Sequence, residues 1–428
     1  GWCDNAKLPT AIEKLRVINL TNRCDYGIRA EQVSGEGVVW MFDKNSDRFP
    51  IKKSCIYLAH CGISPLCAAA AQKEIEVAAA QRDSGALIFR RYDQILDELR
   101  LVAARLLKTS EENLAFVKNT SEGMGLIANG YPFAKGDQII SYVHEYPANH
   151  YPWRLQEQRG VELLLLPNRS TPGSAHADLP CAWSLADLEE MATPSTTMVA
   201  LSHVQFTSGF AADLKPLGEF CHSRGIDLVI DAAQSLGCLA LYPEDHHIAA
   251  VASSGWKWLL GPVGTGLLYT SSEFREKLQP VMVGAELMLQ GADYLDHTWR
   301  PHASAKRFEY STSPLSLAAA LAAGIQDLFL QYGLEAIQEE VFRLQDLLLK
   351  NLDRSRYAPL QFPPENRSGI LSVVCKDDLN ALLQHLESKG IICSARGGYL
   401  RLAPHFYNTD EEMERAADIL NAVPSFAP

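Results

Sequence analysis

The sequence predicts an α/β fold in which a large, mainly parallel, seven-stranded sheet is followed by a smaller C-terminal α+β domain. The first observation is that short apolar segments alternate with amphipathic helical segments between Ala68 and Thr270. Such alternation is typical of a mainly parallel sheet that helices cover on both faces. The second observation is a change after this region to a long helical pattern and then to a short mixture of strands and helices. That change predicts a second unit.

Seven segments are predicted strands of the large sheet, because each is short, apolar and separated from the next by helical or turn-forming sequence. They are residues 114–118, 138–143, 161–166, 198–204, 227–231, 249–253 and 266–270. Helices are predicted where apolar residues recur with helical spacing. The clearest are residues 93–107, 185–191 and 217–224.

The C-terminal region predicts a compact α+β unit. A helical pattern extends over residues 315–352, and Gly333 predicts a break in it because glycine is a poor helix former. Short elements then follow: strand 369–375, helix 379–389, strands 391–395 and 399–403, and helix 409–423. These patterns divide the chain into an N-terminal segment (1–65), a large domain (66–324) and a small domain (325–428). The N-terminal segment is expected to pack on the small domain or on a partner subunit.

Composition and charge exclude several classes of partner. The net charge of −12 argues against nucleic acid, because phosphate binding depends on clustered lysine and arginine. The apolar runs are far shorter than the ~20 residues of a membrane span, so no membrane partner is expected. The chain starts without the pattern of an export signal, and its ten cysteines form no C-x-x-C pair. We therefore expect reduced thiols, no metal site and a cytoplasmic location.

One aspartate and one lysine form the strongest candidate site. Asp231 ends an apolar predicted strand, and in open α/β sheets ligands bind at the carboxyl ends of strands. Lys257 lies among aromatic and small residues, without an acid nearby in sequence to pair with it. Such a lysine is expected to have a lowered pKa and to act as an amine nucleophile toward a carbonyl. Each residue on its own also has a purely structural explanation. Asp231 could cap the next helix, and the Lys257 side chain could extend to the surface.

The two motifs around these residues resemble the aminotransferase class V family. Asp231 begins a D-x-A-Q motif, and Lys257 lies in S-G-x-K-x-x-x-G-P; the resemblance extends over residues 55–415. The family includes cysteine desulfurases, C–S lyases, kynureninases and isopenicillin N epimerase. The resemblance implies the PLP-dependent transferase fold type I and the cofactor pyridoxal 5′-phosphate (PLP), bound to Lys257 as a Schiff base. Lys257 would also act as the acid and base that moves protons at the substrate carbon.

The resemblance also implies which residues surround the cofactor ring. Asp231 would keep the ring nitrogen protonated, because a carboxylate favours the cation beside it. Gln234 would reach the phenolic oxygen, and Gln205 is expected to approach the same side. Tyr146 lies in a segment that resembles the E-H-H-A-N motif of desulfurases, at the position of the stacking histidine. Tyrosine can stack, but with a pKa of about 10 it is a poor proton carrier near neutral pH.

The phosphate group would be bound at the start of a predicted helix. Thr120 and Ser121 follow the strand at 114–118 and precede an apolar helical run, so backbone N–H groups and hydroxyls are available there. Ser254, near the lysine, is the third expected contact. Thr312 lies in a segment similar to the one from which family members reach the phosphate of the neighbouring subunit. This similarity implies a homodimer with shared active sites.

Two arginines are the candidate substrate-binding residues, because a planar guanidinium binds an amino-acid carboxylate through two hydrogen bonds. Arg401 resembles the carboxylate-binding arginine of the family, and Arg396 is expected to contact the substrate or the cofactor region. In desulfurases of this group a mobile loop between these positions carries a cysteine. Here only Gly397, Gly398, Tyr399 and Leu400 separate the arginines.

The missing cysteine loop disfavours a persulfide-forming desulfurase and favours a β-eliminating C–S lyase that acts on a sulfur-containing amino acid without a catalytic cysteine. An aminotransferase or epimerase of an amino acid is the alternative, and kynureninase-like cleavage is a further one. A non-catalytic protein with the same fold is another alternative. A nucleotide site at residues 261–266 is disfavoured, because its glycines do not match G-x-G-x-x-G.

Overall fold

The computed structural model describes residues 41–170 and 178–426, together with the short strands β1 (Val33–Ser34) and β2 (Gly37–Val38). The rest of the predicted N-terminal segment lies outside the described residues. The further strands are β3 (Ile56–Tyr57), β4 (Leu114–Val117), β5 (Gln138–Tyr142), β6 (Glu162–Leu166), β7 (Thr196–Ser202), β8 (Asp227–Asp231), β9 (Ala250–Ser254), β10 (Gly266–Thr270), β11 (Ala358–Pro359), β12 (Leu371–Val374), β13 (Ile391–Ile392), β14 (Ser394–Arg396) and β15 (Tyr399–Leu402).

The described helices alternate with these strands along the chain. They are α1 (Ala68–Ser84), α2 (Tyr92–Leu107), α3 (Thr120–Gly130), α4 (Tyr151–Leu155), α5 (Leu185–Met191), α6 (Leu214–Ser223), α7 (Ser272–Lys277), α8 (Leu315–Gly324), α9 (Leu330–Tyr332), α10 (Leu334–Asn351), α11 (Leu379–Ser388) and α12 (Asp410–Asn421).

The central sheet has seven strands in the order β4-β10-β9-β8-β7-β5-β6. Its pairings are parallel except at β10, which is antiparallel to both β9 and β4. The predicted α/β fold with a mainly parallel, seven-stranded sheet is confirmed. Each predicted strand is present, and the largest difference in position is at 198–204, where β7 extends over Thr196–Ser202.

Both faces of this sheet are buried, which explains why its strands are almost continuously apolar. Neighbouring residues of one strand belong to different hydrophobic clusters: Ile139 and Val229 lie in one, Ile140 and Ile230 in the other. Because side chains alternate across a strand, each face needs its own apolar set.

A helical run through α8 and α9 packs against α1 and α2. The two helices are joined by a π-helical turn at Ile325–Phe329, and the run ends at Gly333, whose φ is +83°. The predicted break near Gly333 is therefore confirmed. By length and composition Leu315–Tyr332 could cross a membrane, but 56% of it is buried inside the described chain. Packing between α1 and α2 accounts for its apolar composition.

The C-terminal unit is built on an antiparallel sheet in the order β11-β12-β15-β14. Its core includes Leu344 of α10, Leu382 of α11 and Leu420 of α12. The prediction of one strand at 391–395 is wrong. The segment forms β13, which pairs in parallel with β3, and then β14, which pairs with β15. The pairing with β3 could not be foreseen, because the partner strand lies far away in sequence.

Residues 41–65 lie against the C-terminal unit. Lys44 and Lys52 form ion pairs with Glu340 and Glu412, and the Phe49 ring stacks on another aromatic ring of this unit. After β3 the chain continues along the small sheet, where Leu58 N–H donates to the carbonyl of residue 392. This route brings Cys61 and Ser64 to the segments that follow β8 and β9, where Cys61 accepts from Gln234 and the Ser64 N–H donates to the Trp256 carbonyl.

Candidate active site

A cavity of about 530 Å³ lies at the carboxyl ends of the central strands, where α/β proteins bind ligands. Segments that follow β4, β5, β7, β8 and β9 contribute to its wall, and the β14–β15 hairpin closes one side. The cavity brings together the predicted residues Thr120, Ser121, Tyr146, Asp231, Gln234, Ser254, Lys257, Arg396 and Arg401. Gln205 and Thr312 are not among its lining residues.

Lys257 follows β9 and points its amine into this cavity. Its Nζ lies 5.5 Å from the centroid of the Tyr146 ring. Burial lowers the pKa of Lys257, and the negative charge of Asp231 opposes that shift. The lowered pKa matches the sequence-based expectation. It increases the fraction of lysine present as the neutral, nucleophilic amine.

Asp231 ends β8 as a buried carboxylate. Its Oδ1 accepts a hydrogen bond of 2.8 Å from the N–H of Ala233. Burial raises the pKa of Asp231, while the Ala233 N–H and the charge of Lys257 lower it. A buried carboxylate with one backbone donor fits a protonated ring nitrogen, which would supply both a charge and a hydrogen bond.

Gln234 is held in one orientation by two protein contacts. Its Nε2 donates to the carbonyl oxygen of Cys61 at 2.8 Å, and its Oε1 accepts from the indole N–H of Trp258 at 3.1 Å. The amide nitrogen of glutamine has a second N–H. That second N–H is the donor that would serve the phenolic oxygen of PLP.

The start of α3 provides a site that fits a phosphate group. The Thr120 and Ser254 hydroxyls are 2.8 Å apart. The Asn119 side chain caps α3 by accepting from the N–H of Glu122, so the N–H groups of Thr120 and Ser121 are not used by that cap. Backbone N–H groups at a helix start, with hydroxyls beside them, are well suited to bind phosphate.

The loop after β5 carries Tyr146, whose side chain is 44% exposed although it lines the cavity. Its ring meets the Phe206 ring edge to face, with centroids 5.2 Å apart. The exposed ring face beside the Lys257 amine is consistent with stacking on a planar cofactor.

Glu145 is a buried acid that the sequence did not single out. It accepts hydrogen bonds from the N–H of Ser202 at 2.7 Å, from the Ser202 hydroxyl, and from Nε2 of Gln205 at 3.0 Å. Burial nevertheless raises the pKa of Glu145 to about 7. Gln205 therefore contacts the loop that carries Tyr146, and its Oε1 is buried without a partner among the described residues.

Arg401 lies on β15 and is 4% exposed. Its Nη1 donates to the Phe206 carbonyl at 2.5 Å, but its Nε is buried without a hydrogen-bond partner in the described chain. Burial lowers the pKa of Arg401, and the charge of Arg396 lowers it further. An unpaired buried N–H is costly unless a ligand satisfies it, so Arg401 fits a substrate carboxylate.

A two-residue turn joins the strands that carry the two arginines. Arg396 pairs directly with Tyr399, so the turn consists of Gly397 and Gly398, with φ of +58° and +85°. Positive φ at both positions is typical of the tight hairpin turns that favour glycine. The two arginine-bearing strands are therefore joined by a tight turn that contains no cysteine.

A cysteine from a different part of the chain lines the cavity. Cys61, just after β3, is 2% exposed, and its Sγ lies 3.4 Å from the Ser394 hydroxyl oxygen. No local pattern predicts this position, because three distant segments must fold together before Cys61 meets the site. The eight cysteines that the structure describes are all free thiols.

Thr312 lies in a separate surface pocket next to Lys118 and Tyr310. The segment is anchored by Glu309, which forms a buried ion pair with Arg100 and accepts from the N–H of Phe116 at 2.9 Å. Thr312 is thus outside the cavity of its own chain.

Comparison with known proteins gives consistent matches. The family model for aminotransferase class V matches residues 65–415. A probable cysteine desulfurase of Methanothermobacter thermautotrophicus is 27% identical over 346 residues, which cover 77% of this chain and 83% of the relative. A probable cysteine desulfurase of Pyrococcus abyssi is 28% identical over 345 residues and covers 76% of this chain and 82% of the relative.

Solved structures share the fold. A cystine C–S lyase in complex with its product cysteine persulfide superposes with a TM-score of 0.78 at 21% identity, covering 89% of this chain and all of the other. A cysteine desulfurase of Thermococcus onnurineus gives 0.75 at 23% identity, covering 87% of this chain and 97% of the other. The family match covers most of the chain, and the cavity residues fit the cofactor. The chain therefore belongs to the aminotransferase class V family of PLP-dependent enzymes.

Proposed function

We propose that this enzyme is a C–S lyase that cleaves the Cβ–S bond of a sulfur-containing amino acid by β-elimination. The observation that carries the proposal is that the Nε of Arg401, buried without a partner among the described residues, and the amine of Lys257 border the same cavity. A carboxylate bound at Arg401 would place the α carbon of an amino acid within this cavity, next to a lysine that can move its proton.

Each residue has a distinct part in this reaction. Arg401 binds and orients the substrate carboxylate, and Lys257 removes the α proton. Asp231 holds the proton on the ring nitrogen, so that the cofactor, when bound, can accept the electron pair from the α carbon. The sulfur group then leaves with the electron pair of the Cβ–S bond.

The β14–β15 hairpin supports elimination over cysteine-dependent desulfuration. Its turn is made of Gly397 and Gly398 only, so no cysteine reaches the substrate from there. Elimination needs no thiol of the protein, because the leaving group departs by itself. The names of similar proteins, cysteine desulfurase and cystine C–S lyase, support a sulfur-containing substrate.

A substrate panel tests the proposal. The holoenzyme is incubated with cystine, with cysteine, with alanine plus a keto acid, and with kynurenine. We expect pyruvate from cystine or cysteine, and no pyruvate from the Lys257→Ala variant. Exchange with the keto acid without pyruvate formation would instead identify an aminotransferase, and inversion at the α carbon an epimerase. A protein that takes up no PLP would contradict the whole assignment.

We also propose a homodimer with shared active sites, located in the cytoplasm. Exposed apolar side chains between residues 281 and 299 support a second copy as partner, because such patches mark interfaces. They include Leu289 (58% exposed), Leu295 (90%) and Trp299 (59%). The position of Thr312, outside its own cavity, is consistent with a contribution to the partner's site. The free thiols agree with a reducing compartment.

A further inference from the structure

We propose that Cys61 is a sulfur-accepting residue of this active site: its thiol receives the sulfur atom that C–S cleavage releases and holds it as a persulfide. The inference rests on the proposed function, since the lyase reaction generates the sulfur donor. It assigns a sulfur-accepting cysteine to the segment after β3. This cysteine acts on the released product and takes no part in the cleavage of the Cβ–S bond.

The contacts of Cys61 place this residue in the wall of the substrate cavity. Its carbonyl oxygen accepts the 2.8 Å hydrogen bond from Gln234, which fixes the backbone at the cavity wall. Its Sγ lies 3.4 Å from the hydroxyl oxygen of Ser394. Ser394 pairs with Arg401 in the β14–β15 ladder, so the thiol lies beside the strand position of the carboxylate-binding arginine.

A second observation shows that a ligand is expected beside this thiol. Arg401 is more than nine-tenths buried, lines the same cavity, and has an Nε without a partner among the described residues. Cys61, Arg401 and Lys257 all line this cavity, and Ser394, whose hydroxyl contacts the Cys61 sulfur, pairs with Arg401 across the hairpin. A substrate held between these two cations would therefore lie next to the sulfur of Cys61.

The chemistry balances with cystine as the substrate. Elimination breaks one Cβ–S bond, and with one water the products are pyruvate, ammonia and cysteine persulfide. The Cys61 thiolate attacks the terminal sulfur of the persulfide, the S–S bond breaks, and its electron pair leaves with the cysteine sulfur. Cysteine takes up the proton that Cys61 lost. A second thiol can then remove the sulfur from Cys61 and regenerate it.

The first experiment maps the sulfur after turnover. The holoenzyme is incubated with cystine, alkylated, digested and analysed by mass spectrometry. We expect one additional sulfur atom on Cys61. Cys61→Ser should lose the bound sulfur and still bind PLP, as its absorbance would show. Cys55→Ser is the matched control, because Cys55 is in the same segment but does not line the cavity. Sulfur on another cysteine, or on none while pyruvate forms, would overturn the proposal.

The second experiment separates this proposal from the proposed function. The Lys257→Ala variant is incubated with cysteine persulfide, so that no C–S cleavage is needed. Sulfur on Cys61 is expected even in this variant, and its absence would reject the sulfur-accepting role. If cystine is not cleaved by the wild type but Cys61 still takes sulfur from the persulfide, the lyase assignment fails while the assignment to Cys61 survives.

Discussion

Arg401 illustrates how one side chain can combine charge, burial and a donor that no described residue uses. Replacement by lysine keeps the positive charge but removes the planar pair of donors that a carboxylate requires. A charge-assisted hydrogen bond contributes about 1.5–3 kcal/mol, so we expect KM to rise roughly tenfold to a hundredfold in Arg401→Lys. Steady-state kinetics with the substrate found in the panel measure this. Arg343→Lys, in an exposed ion pair with Asp410, should leave KM unchanged, and equal KM values in both variants would contradict the assignment.

Glu145 gives a prediction about pH. Its pKa is raised from 4.5 to about 7, so the folded chain keeps a proton that the unfolded chain releases in this range. The stabilisation from this group is therefore fully present below pH 4.5 and is lost as the pH rises through 7. Its total is on the order of 3 kcal/mol.

The variant Glu145→Gln should remove this dependence. Relative to wild type, its free energy of unfolding should rise between about pH 5 and about pH 8. Urea unfolding of the PLP-saturated protein at both pH values measures the difference. Glu157→Gln, on the surface, is the control. A constant difference between Glu145→Gln and wild type would show that the carboxyl does not titrate in this window.

At the scale of residues, the active-site residues that belong to sequence motifs could be predicted. Those that are defined only by their neighbours in space could not. Asp231 and Lys257 are recognisable because Asp231 ends one strand of the sheet, Lys257 follows the next, and each lies within a characteristic motif. Cys61 has no such signal, because its contacts with Gln234 and Ser394 exist only in the folded chain. Glu145 lies in the segment that resembles the E-H-H-A-N motif, but its burial depends on β7, which lies further along the chain.

At the scale of elements, the turn between β14 and β15 joins the two strands that carry the candidate substrate-binding arginines. A Cβ at Gly397 would lie 2.8 Å from Cγ2 of Thr207, and φ there is +58°. Gly397→Ala should destabilise the fold by about 1–2 kcal/mol from the left-handed φ alone and should also raise KM, because the arginines shift with the turn. Thermal unfolding and steady-state kinetics test both effects.

A substitution at a second glycine distinguishes the effect of backbone strain from the effect of a shifted hairpin. Gly225 also has a positive φ (+67°), but a Cβ there would meet nothing within 4 Å. It lies at the opposite end of β8 from Asp231, since β8 begins at Asp227. Gly225→Ala should therefore lower stability without a change in KM. If both variants raise KM alike, the hairpin has no special role in substrate binding.

Element boundaries were predictable where local signals are strong. Helix α12 begins after Thr409, which forms a capping box with Glu412, and the predicted helix at 409–423 matches it closely. Helix α6 starts at Leu214, three residues before the predicted 217, because the Asp213 side chain caps it. The prediction of a single strand at 391–395 was wrong, because one half of the segment pairs with β3 and the other half with β15.

At the scale of the whole molecule, shared active sites can be tested with hybrids. Lys257→Ala removes the lysine of a chain's own site, and Thr312→Ala would impair only the partner's site. We expect each homodimer to have strongly reduced activity. A mixed dimer of the two variants should regain activity, because one site then has both its own Lys257 and the partner's Thr312 intact.

The measurement is activity after the two variants are unfolded together, refolded and compared with the separately treated proteins. Leu295→Glu on the exposed apolar segment is the companion variant and should shift the molar mass in solution toward the monomer. No recovery in the mixture, with dimers present, would argue against shared sites. The buried ion pair between Glu309 and Arg100 fixes the chain three residues before Thr312.

The global architecture was largely predictable from the sequence, because strand–helix alternation restricts the possible topologies to few. The order of the seven strands and the antiparallel direction of β10 could not be predicted from the sequence, since pairing depends on contacts between distant segments. The attachment of residues 41–65 to the C-terminal unit was unpredictable for the same reason. Lys44 and Lys52 form ion pairs with acids that lie more than half the chain length away in sequence.

The two-glycine hairpin also has a consequence for time scales. Enzymes whose site is completed by a long mobile loop often show a closure step in the microsecond to millisecond range. Here Arg396 and Arg401 lie on paired strands joined by the shortest kind of turn, so these donors are in place before the substrate arrives. In stopped-flow absorbance measurements, the observed binding rate should therefore increase with substrate concentration in one phase, without a plateau set by movement of this hairpin.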